Sequence, residues 1–559
     1  MKNKKYNWEI TAKLKTSEVS SEKIVTLLLK NRGLKTEKEK HEFLFPTDPE
    51  KIPLKSVGIK QKSLKQTIER IKKALDNKEK IIVYGDYDAD GISATAVLWE
   101  VLNSIKADVM PYIPDRFSEG YGLNAESIEK FIVSKYPGTK LIITVDNGIV
   151  ANEAVEKANA LGIDVIITDH HQAGKKLPKA FSIVHTTILS GAGIAWFLAR
   201  EIRKIFKHDK NSGDSGLELA AIGTIADQIP LVGPNRSIAK HGLDMLNKTT
   251  RPGLLCLYES AGINRGDIGA YHVGFVISPR INAMGRLEHA LDSLRFLCTR
   301  DINRAKDLSN LLNKTNIERQ AIVEKVVLHA KEKALLTKWK GVILLSDESY
   351  HEGIIGLAAS RLTEEFYRPA IVVSKGEVVS KASARSVPGF NIIEAIRKMD
   401  SYLLGGGGHP MAAGFSIETA KLSSFASEFE KVCEPLLTEE ILTKRLKLDM
   451  VLEFALITKN LAEKLKQFSP TGLGNPTPSF ATLNVKVIEV KKVGREGKHL
   501  KLKLEKDNIK LETIGFGLGE LGSKLTPGVR VDVAYTIDVN IWNGNSQIQL
   551  KIKDIKEGS

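Results

Sequence analysis

The sequence predicts an α/β protein, with two α/β domains carrying parallel-type sheets, joined by a long helix and followed by a small C-terminal β-barrel. Three observations carry that reading. Continuous apolar strands recur, each leading through a polar or glycine-bearing turn into a helix, the pattern of a parallel sheet covered on both faces. A charged helical stretch, about Asp301 to Leu336, separates two such regions. Beyond residue 478 the pattern changes to short strands of alternating polarity.

Taken in chain order, Met1 to Lys15 is polar and lysine-rich. From Ser21 to Phe45 the apolar residues Ile24, Leu27, Leu28, Leu34, Phe43 and Leu44 fall at helical spacing and stop at Pro46, which predicts a helical preface over residues 1–60. A lysine-rich helix, Gln61 to Lys80, opens the first α/β domain, expected over 61–300. The unbroken strand Ile81-Ile82-Val83-Tyr84 runs into the turn Gly85 to Gly91 and a helix, Ile92 to Ile105. The strand pattern returns at Lys140 to Val145 before Asp146-Asn147-Gly148, and at Asp164 to Thr168 before Asp169-His170-His171. Open α/β sheets bind ligands outside the carboxyl ends of their strands, where all three acidic clusters fall.

The connecting helix is assigned to 301–340 and a second α/β domain to 341–455. Its strands are Gly341 to Leu345 and Ala370 to Val373, with a helix at Gly356 to Phe366 and the run Gly405-Gly406-Gly407-Gly408-His409 beyond. A cleft is expected between the two domains. After the turn-rich Thr471-Gly472-Leu473-Gly474-Asn475-Pro476-Thr477-Pro478, five short strands within 456–559 suit a barrel of the OB type: Leu483 to Val490, Leu500 to Leu504, Lys510 to Phe516, Val531 to Ile537 and Ser546 to Ile552. Such barrels often bind single strands, but a structural cap is the alternative, since the aromatics for stacking are only Phe480, Phe516, Tyr535 and Trp542.

Composition narrows the function. A chain of 559 residues suits three or four domains. The 82 basic and 67 acidic residues give a net charge of +15 and, with a pI near 9.3, favour a polyanionic partner. Three separated cysteines, Cys256, Cys298 and Cys433, offer neither a disulfide framework nor a zinc ribbon. No run approaches the roughly 18 apolar residues of a membrane span, so a cytoplasmic chain without membrane contact is expected.

Three carboxylates within five residues, Asp86, Asp88 and Asp90, repel one another unless a cation or protons neutralise them. A solvated acidic turn or an aspartate helix cap remains an alternative for that triplet alone. Asp146 and the Asp169-His170-His171 triplet at the ends of neighbouring strands add carboxylates and imidazoles on one sheet edge. Carboxylate oxygen with an imidazole or two suits Mn²⁺ or Mg²⁺ better than zinc. A pair of such ions would activate water and clamp a phosphate, so a metal-dependent phosphodiesterase for nucleic acid is expected.

The segment Val83-Tyr84-Gly85-Asp86-Tyr87-Asp88-Ala89-Asp90-Gly91, with Asp169-His170-His171, resembles the DHH phosphoesterases and within them the RecJ-type single-strand exonucleases. The likeness continues through Pro114 to Leu123, Gly223 to Asp227 and Pro279 to Arg286. His351 to Gly356, Ser383-Ala384-Arg385-Ser386 and Gly405 to Gly414 resemble the family's DHHA1 domain, and Gly472 to Pro476 the lead-in to its OB-like domain. Tyr350 stands where tryptophan is common, and Lys381-Ala382 where His-Gly is common.

That resemblance implies Asp88, Asp90, Asp146, His170 and Asp227 as metal ligands for two Mn²⁺ or Mg²⁺ ions, with Asp86 and Asp169 close by. It implies catalytic roles for His171, His409, Asp86 and Asp169, an end-phosphate pocket of Arg116, Ser383 and Arg385, and substrate contacts from Arg280, Asn282 and Arg286. A phosphate-facing loop of Gly406, Gly407 and Gly408 is expected; it lacks the Lys-Ser/Thr of a nucleotide loop. The residues' own alternatives are an ion pair for Arg116, an interdomain latch for Arg280 to Arg286, and a hairpin tip for the glycines. The implied activity is 5′→3′ degradation of single-stranded DNA to 5′-mononucleotides in repair and recombination, by a monomer working with a single-strand-binding protein and a helicase. The rivals are a phosphodiesterase for short oligoribonucleotides or cyclic dinucleotides, and a non-catalytic replication scaffold.

Overall fold

The computed structural model describes residues 6–12, 20–116, 118–120, 122–206, 215–337, 339, 341–542 and 545–558. Phe117 and Tyr121 of the Pro114 to Leu123 motif lie outside the described residues, as does the Trp542 side chain. The chain forms two compact units, one of residues 34–317 and 467–477, the other of 1–33, 318–466 and 478–559.

The first unit is built on a five-stranded, wholly parallel sheet in the order Val109–Tyr112, Lys80–Tyr84, Thr139–Val145, Asp164–Asp169, Ser182–His185. Ile81 to Tyr84 and Val165 to Ile167 are fully buried, as strands covered on both faces must be. The helix Ala89–Ser104 is apolar almost all round because it packs against both Gly191–Ile205 and Leu217–Ala226. Its start, the Asp146 turn and the His170-His171 turn share the carboxyl edge of the sheet.

In the second unit a five-stranded sheet runs Leu403–His409, Ala412–Glu418, Val379–Arg385, Ala370–Ser374, Ile343–Asp347. The parallel pairing there is between Ile343–Asp347 and Ala370–Ser374; the other neighbours are antiparallel, so the sheet is mixed. One face packs on Ile355–Phe366 and the end of the long helix, the other on Ile392–Arg397 and Leu422–Cys433. The long helix spans Ile302–Leu336.

The expected phosphate-facing loop at Gly406, Gly407 and Gly408 is instead an edge strand, Leu403–His409, paired antiparallel with Ala412–Glu418. Close approach of the neighbouring strand accounts for Gly406 and Gly408, whereas Gly405 and Gly407 have nothing within 4 Å of a Cβ position. A Cβ on Gly408 would sit 2.4 Å from the Ala412 carbonyl oxygen, and one on Gly406 would sit 2.7 Å from the Phe415 Cβ.

The barrel strands are Phe480–Val493, His499–Lys506, Ile509–Gly515, Arg530–Trp542 and Asn545–Glu557, closed by pairing of the first with the fourth. Two further strands extend its sheet, Arg445–Val451 and, parallel to it, Asn7–Ala12. The preface is therefore not one helical unit. Asn7–Ala12 is a strand whose Trp8, Ile10 and Ala12 alternate with exposed neighbours, and its partner lies more than 400 residues away in the chain. Among the described residues, no helix is long and apolar enough to cross a membrane.

Candidate metal centre

The first strand's apolar run ends at Gly85, and the chain turns through Asp86 to Asp88 into the next helix. Asp88 is the N-cap: its Oδ1 accepts from the Asp90 and Gly91 amides at 2.9 and 3.0 Å. One oxygen of the triplet thus does serve the helix cap that an acidic turn suggests. Asp90 is almost fully buried, and the amides of Gly191 and Ala192 donate to its Oδ2 and Oδ1 at 2.7 and 2.9 Å. These amides open the helix Gly191–Ile205, whose dipole favours a carboxylate there.

Asp146 follows its strand in a left-handed conformation, φ 65°, which aims the carboxylate back over the sheet edge. Its Oδ1 is buried and accepts no hydrogen bond, although His170 Nε2 lies 3.0 Å away. His170 Nε2 is also 3.6 Å from Asp227 Oδ2, which comes from the C-cap of Leu217–Ala226. Three overlapping groups place ligand atoms within 4.8 Å of one another: Asp146, His170 and His171; Asp90, His170 and Asp227; Asp86, Asp88 and Asp146.

Asp169 stands apart chemically. Its Oδ1 accepts from the His170 and His171 amides at 2.7 and 3.1 Å and faces His171 Nδ1 at 2.8 Å, while Oδ2 accepts from the Ile149 amide at 2.9 Å. Both oxygens are spent on holding the turn.

The electrostatics follow this division. Burial and the neighbouring carboxylates push Asp90 up to about 7 and Asp227 up to about 8, and raise Asp146 and Asp86 well above the usual carboxylate range. Burial would raise Asp169 too, but the His171 ring and the three amides outweigh it and hold it low. Burial would lower His171, yet Asp169, with Asp227 and Asp86 behind it, pushes it up to about 9. A buried carboxylate oxygen without a donor, ringed by mutually repelling acids and two imidazoles, fits a hard divalent cation.

The chain matches the "DHH family, N-terminal domain" over residues 80–224, the "DHHA1 domain" over 336–434 and the "RecJ OB domain" over 448–554. It is 36% identical over 571 aligned positions to the single-stranded-DNA-specific exonuclease RecJ of Bacillus subtilis, covering 98% of this chain and 71% of that one. The chain belongs to the RecJ family. Among solved structures it resembles Thermus thermophilus RecJ in complex with Mn²⁺, with a TM-score of 0.84 and 29% identity over 100% of this chain and 80% of that one. The Mg²⁺ complex of the same RecJ gives 0.77 and 28%, over 99% and 79%.

The Arg116 guanidinium lies over the Tyr87 ring, 5.1 Å from its centroid, and its charge offsets a little of the rise that burial and Asp88 impose on the Asp86 pKa. Asn282 Oδ1 accepts from the Ala89 amide at 2.7 Å, so that oxygen holds the aspartate turn. Arg280 donates from Nε to Asn313 Oδ1 and from Nη1 to the Val276 carbonyl, while the Arg286 charge acts on Tyr87. In the second unit Arg385 donates to Ser360 Oγ, midway along the helix Ile355–Phe366, and to Ser383 Oγ and the Ala384 carbonyl of its own strand. His409 ends the glycine strand, exposed. In the barrel Phe480 and Tyr535 are buried, whereas Phe516 is exposed.

The sequence reading missed the amides of Gly191 and Ala192 and the clearance at Gly223, where a Cβ would meet Asp90 Oδ1 at 2.2 Å. One signal was present. Ser190-Gly191-Ala192-Gly193 is an N-cap followed by small residues, the form of a helix start that faces an anion.

Proposed function

We propose that this chain, a single-stranded-DNA-specific exonuclease by family, degrades its strand 5′→3′ to 5′-mononucleotides with two Mn²⁺ or Mg²⁺ ions held by Asp88, Asp90, Asp146, His170 and Asp227. The observation that carries the reading is the donor-less Asp146 Oδ1 beside His170 Nε2 within a ring of raised carboxylates. Held by these residues, such ions would lower the pKa of water and neutralise charge at the phosphate and the leaving oxygen.

The chain's own groups do the rest. Two helix amides hold Asp90 in one orientation, so the site needs no reorganisation around it. Asp169 keeps His171 charged at neutral pH, which suits it to hold the phosphate or to give a proton to the departing oxygen. Arg116 in the first unit, and Arg385 with the Ser383 hydroxyl in the second, are each suited to bind a terminal 5′-phosphate, the guanidinium groups as forked donors, and a group that recognises an end makes cutting start there. Asp86 adds charge beside the ligands. Arg280, Arg286 and the His409 strand serve the DNA path. The barrel contributes basic surface more than stacking, because Phe480 and Tyr535 face its core. A monomer receiving ends from a single-strand-binding protein and a helicase completes the reading.

A time course with Mn²⁺ on single- and double-stranded DNA labelled at either end tests it. Early mononucleotide release from the 5′ label of the single strand alone is expected; first release from the 3′ label would overturn the polarity. Faster hydrolysis of a dinucleotide than of a long strand would favour the short-oligonucleotide reading.

A further inference from the structure

The helical run that carries Asn282 also carries two large, mostly exposed aromatic side chains. Ala270–His272 continues through a π-helical turn, Val273–Ile277, into Ser278–Leu287. Tyr271 is 67% exposed and Phe275 70%. They lie four residues apart on one face, with ring centroids 5.0 Å apart and planes inclined by 26°, a stacked pair in water. Gly274, beside Phe275, has no atom within 4 Å of where a Cβ would stand, so the space next to the rings is open. Val273 and Ile277, on the opposite side of the π turn, are fully buried and fix the face outward. Such turns are rare and recur at functional sites.

The same run is locked onto the metal turn. Asn282 holds the Ala89 amide, and a Cβ on Gly285 would stand 2.6 Å from the Tyr87 carbonyl oxygen. Seven residues separate Phe275 from Asn282, about 10 Å of helix rise. That is about three nucleotides of a stacked strand at about 3.4 Å each. Arg280, one turn beyond Phe275, adds a cation to the stretch.

We infer that Tyr271 and Phe275 form a stacking platform for an unpaired base of the DNA strand, a few nucleotides from the bond being cut. The inference rests on the exonuclease reading above and adds a source of strand selectivity to it. Every base has a π-face, so the platform is tolerant of sequence, but in a duplex that face is covered by the neighbouring pairs. Unpaired strands therefore gain a contact that duplexes lack.

The test is binding without turnover: full-length protein in chelator, with 5′-phosphorylated single strands carrying 2-aminopurine at successive positions from the 5′ end. Wild type should perturb the fluorescence most at one or two positions, and Phe275→Leu and Tyr271→Ala should remove that positional signal. Their Kd should rise about 5- to 150-fold, the range for a lost stacked base. An abasic residue at that position should weaken wild type by a similar factor and leave Phe275→Leu without further loss. Unchanged Kd and unchanged fluorescence in both variants would overturn the platform and leave the face to a protein partner. Failure of wild type to bind any single strand would overturn the exonuclease reading itself.

Discussion

Asp90 illustrates how a buried carboxylate is held in one orientation by the start of a helix, with two amides and the Ser190 hydroxyl acting on it. Substituting Asp90→Asn keeps the shape and removes the charge, and should lower turnover by more than about 100-fold, since even partners of ligands are worth about 10- to 100-fold; circular dichroism should stay unchanged. Asp169→Asn belongs to the milder class. It weakens the grip on the His170-His171 turn and removes what holds His171 charged, so a loss of about 10- to 100-fold is expected, with the His171 titration in NMR moving down from about 9. Asp90 and Asp227 have folded pKa values of about 7 and 8 against an ordinary 3.8, so the folded chain binds more protons between about pH 4 and 8. Chelated protein should therefore lose thermal stability as pH rises through that window, and saturating Mn²⁺ should abolish the slope. The aspartates and histidines of this cluster were legible because a cation demands charged or imidazole side chains at strand ends. The Gly191 and Ala192 amides were not, because any residue carries an amide and only packing decides where it points.

Among the elements, the helices Gly191–Ile205 and Leu217–Ala226 meet the aspartate turn through glycines. A Cβ on Gly191 would lie 2.4 Å from Asp146 Oδ1, and one on Gly223 2.2 Å from Asp90 Oδ1. Gly191→Ala or Gly223→Ala should push a carboxylate off its position and weaken Mn²⁺ binding by about 10-fold or more by calorimetry. The three central strands of the parallel sheet were readable from unbroken apolar runs, and the barrel strands from alternation and turn residues; the edge strands Val109–Tyr112 and Ser182–His185 were not, because each is only four residues long and lacks such a run. The glycine strand Leu403–His409 was not, because four consecutive glycines carry no side-chain period and only the register with Ala412–Glu418 makes them a strand. Asn7–Ala12 does show alternation, but it is short and its partner is remote, so local pattern could not say what it pairs with.

Across the whole molecule, charge and chain path matter more than any one element. With a net charge of +15, single-strand binding should fall steeply with salt, each neutralised phosphate contributing a slope of about −0.7 in log Kobs against log salt. Arg236 is 1% exposed and donates to the carbonyls of Phe43, Gln467, Phe468, Ser469 and Pro470, which pins residues 467–477 into the first unit. Arg236→Ala would strand those carbonyls without donors and should cost about 3–5 kcal/mol in denaturant unfolding. The order of segments has a genetic corollary. Since the first unit recruits eleven residues that the ribosome makes only after the second α/β sheet, a nonsense codon just beyond residue 466 strips more than a barrel from the protein. It leaves the aspartate-bearing unit translated through residue 317 yet missing a piece of its own wall, so an allele of that kind is expected to behave as a null rather than as an enzyme with a lost accessory domain.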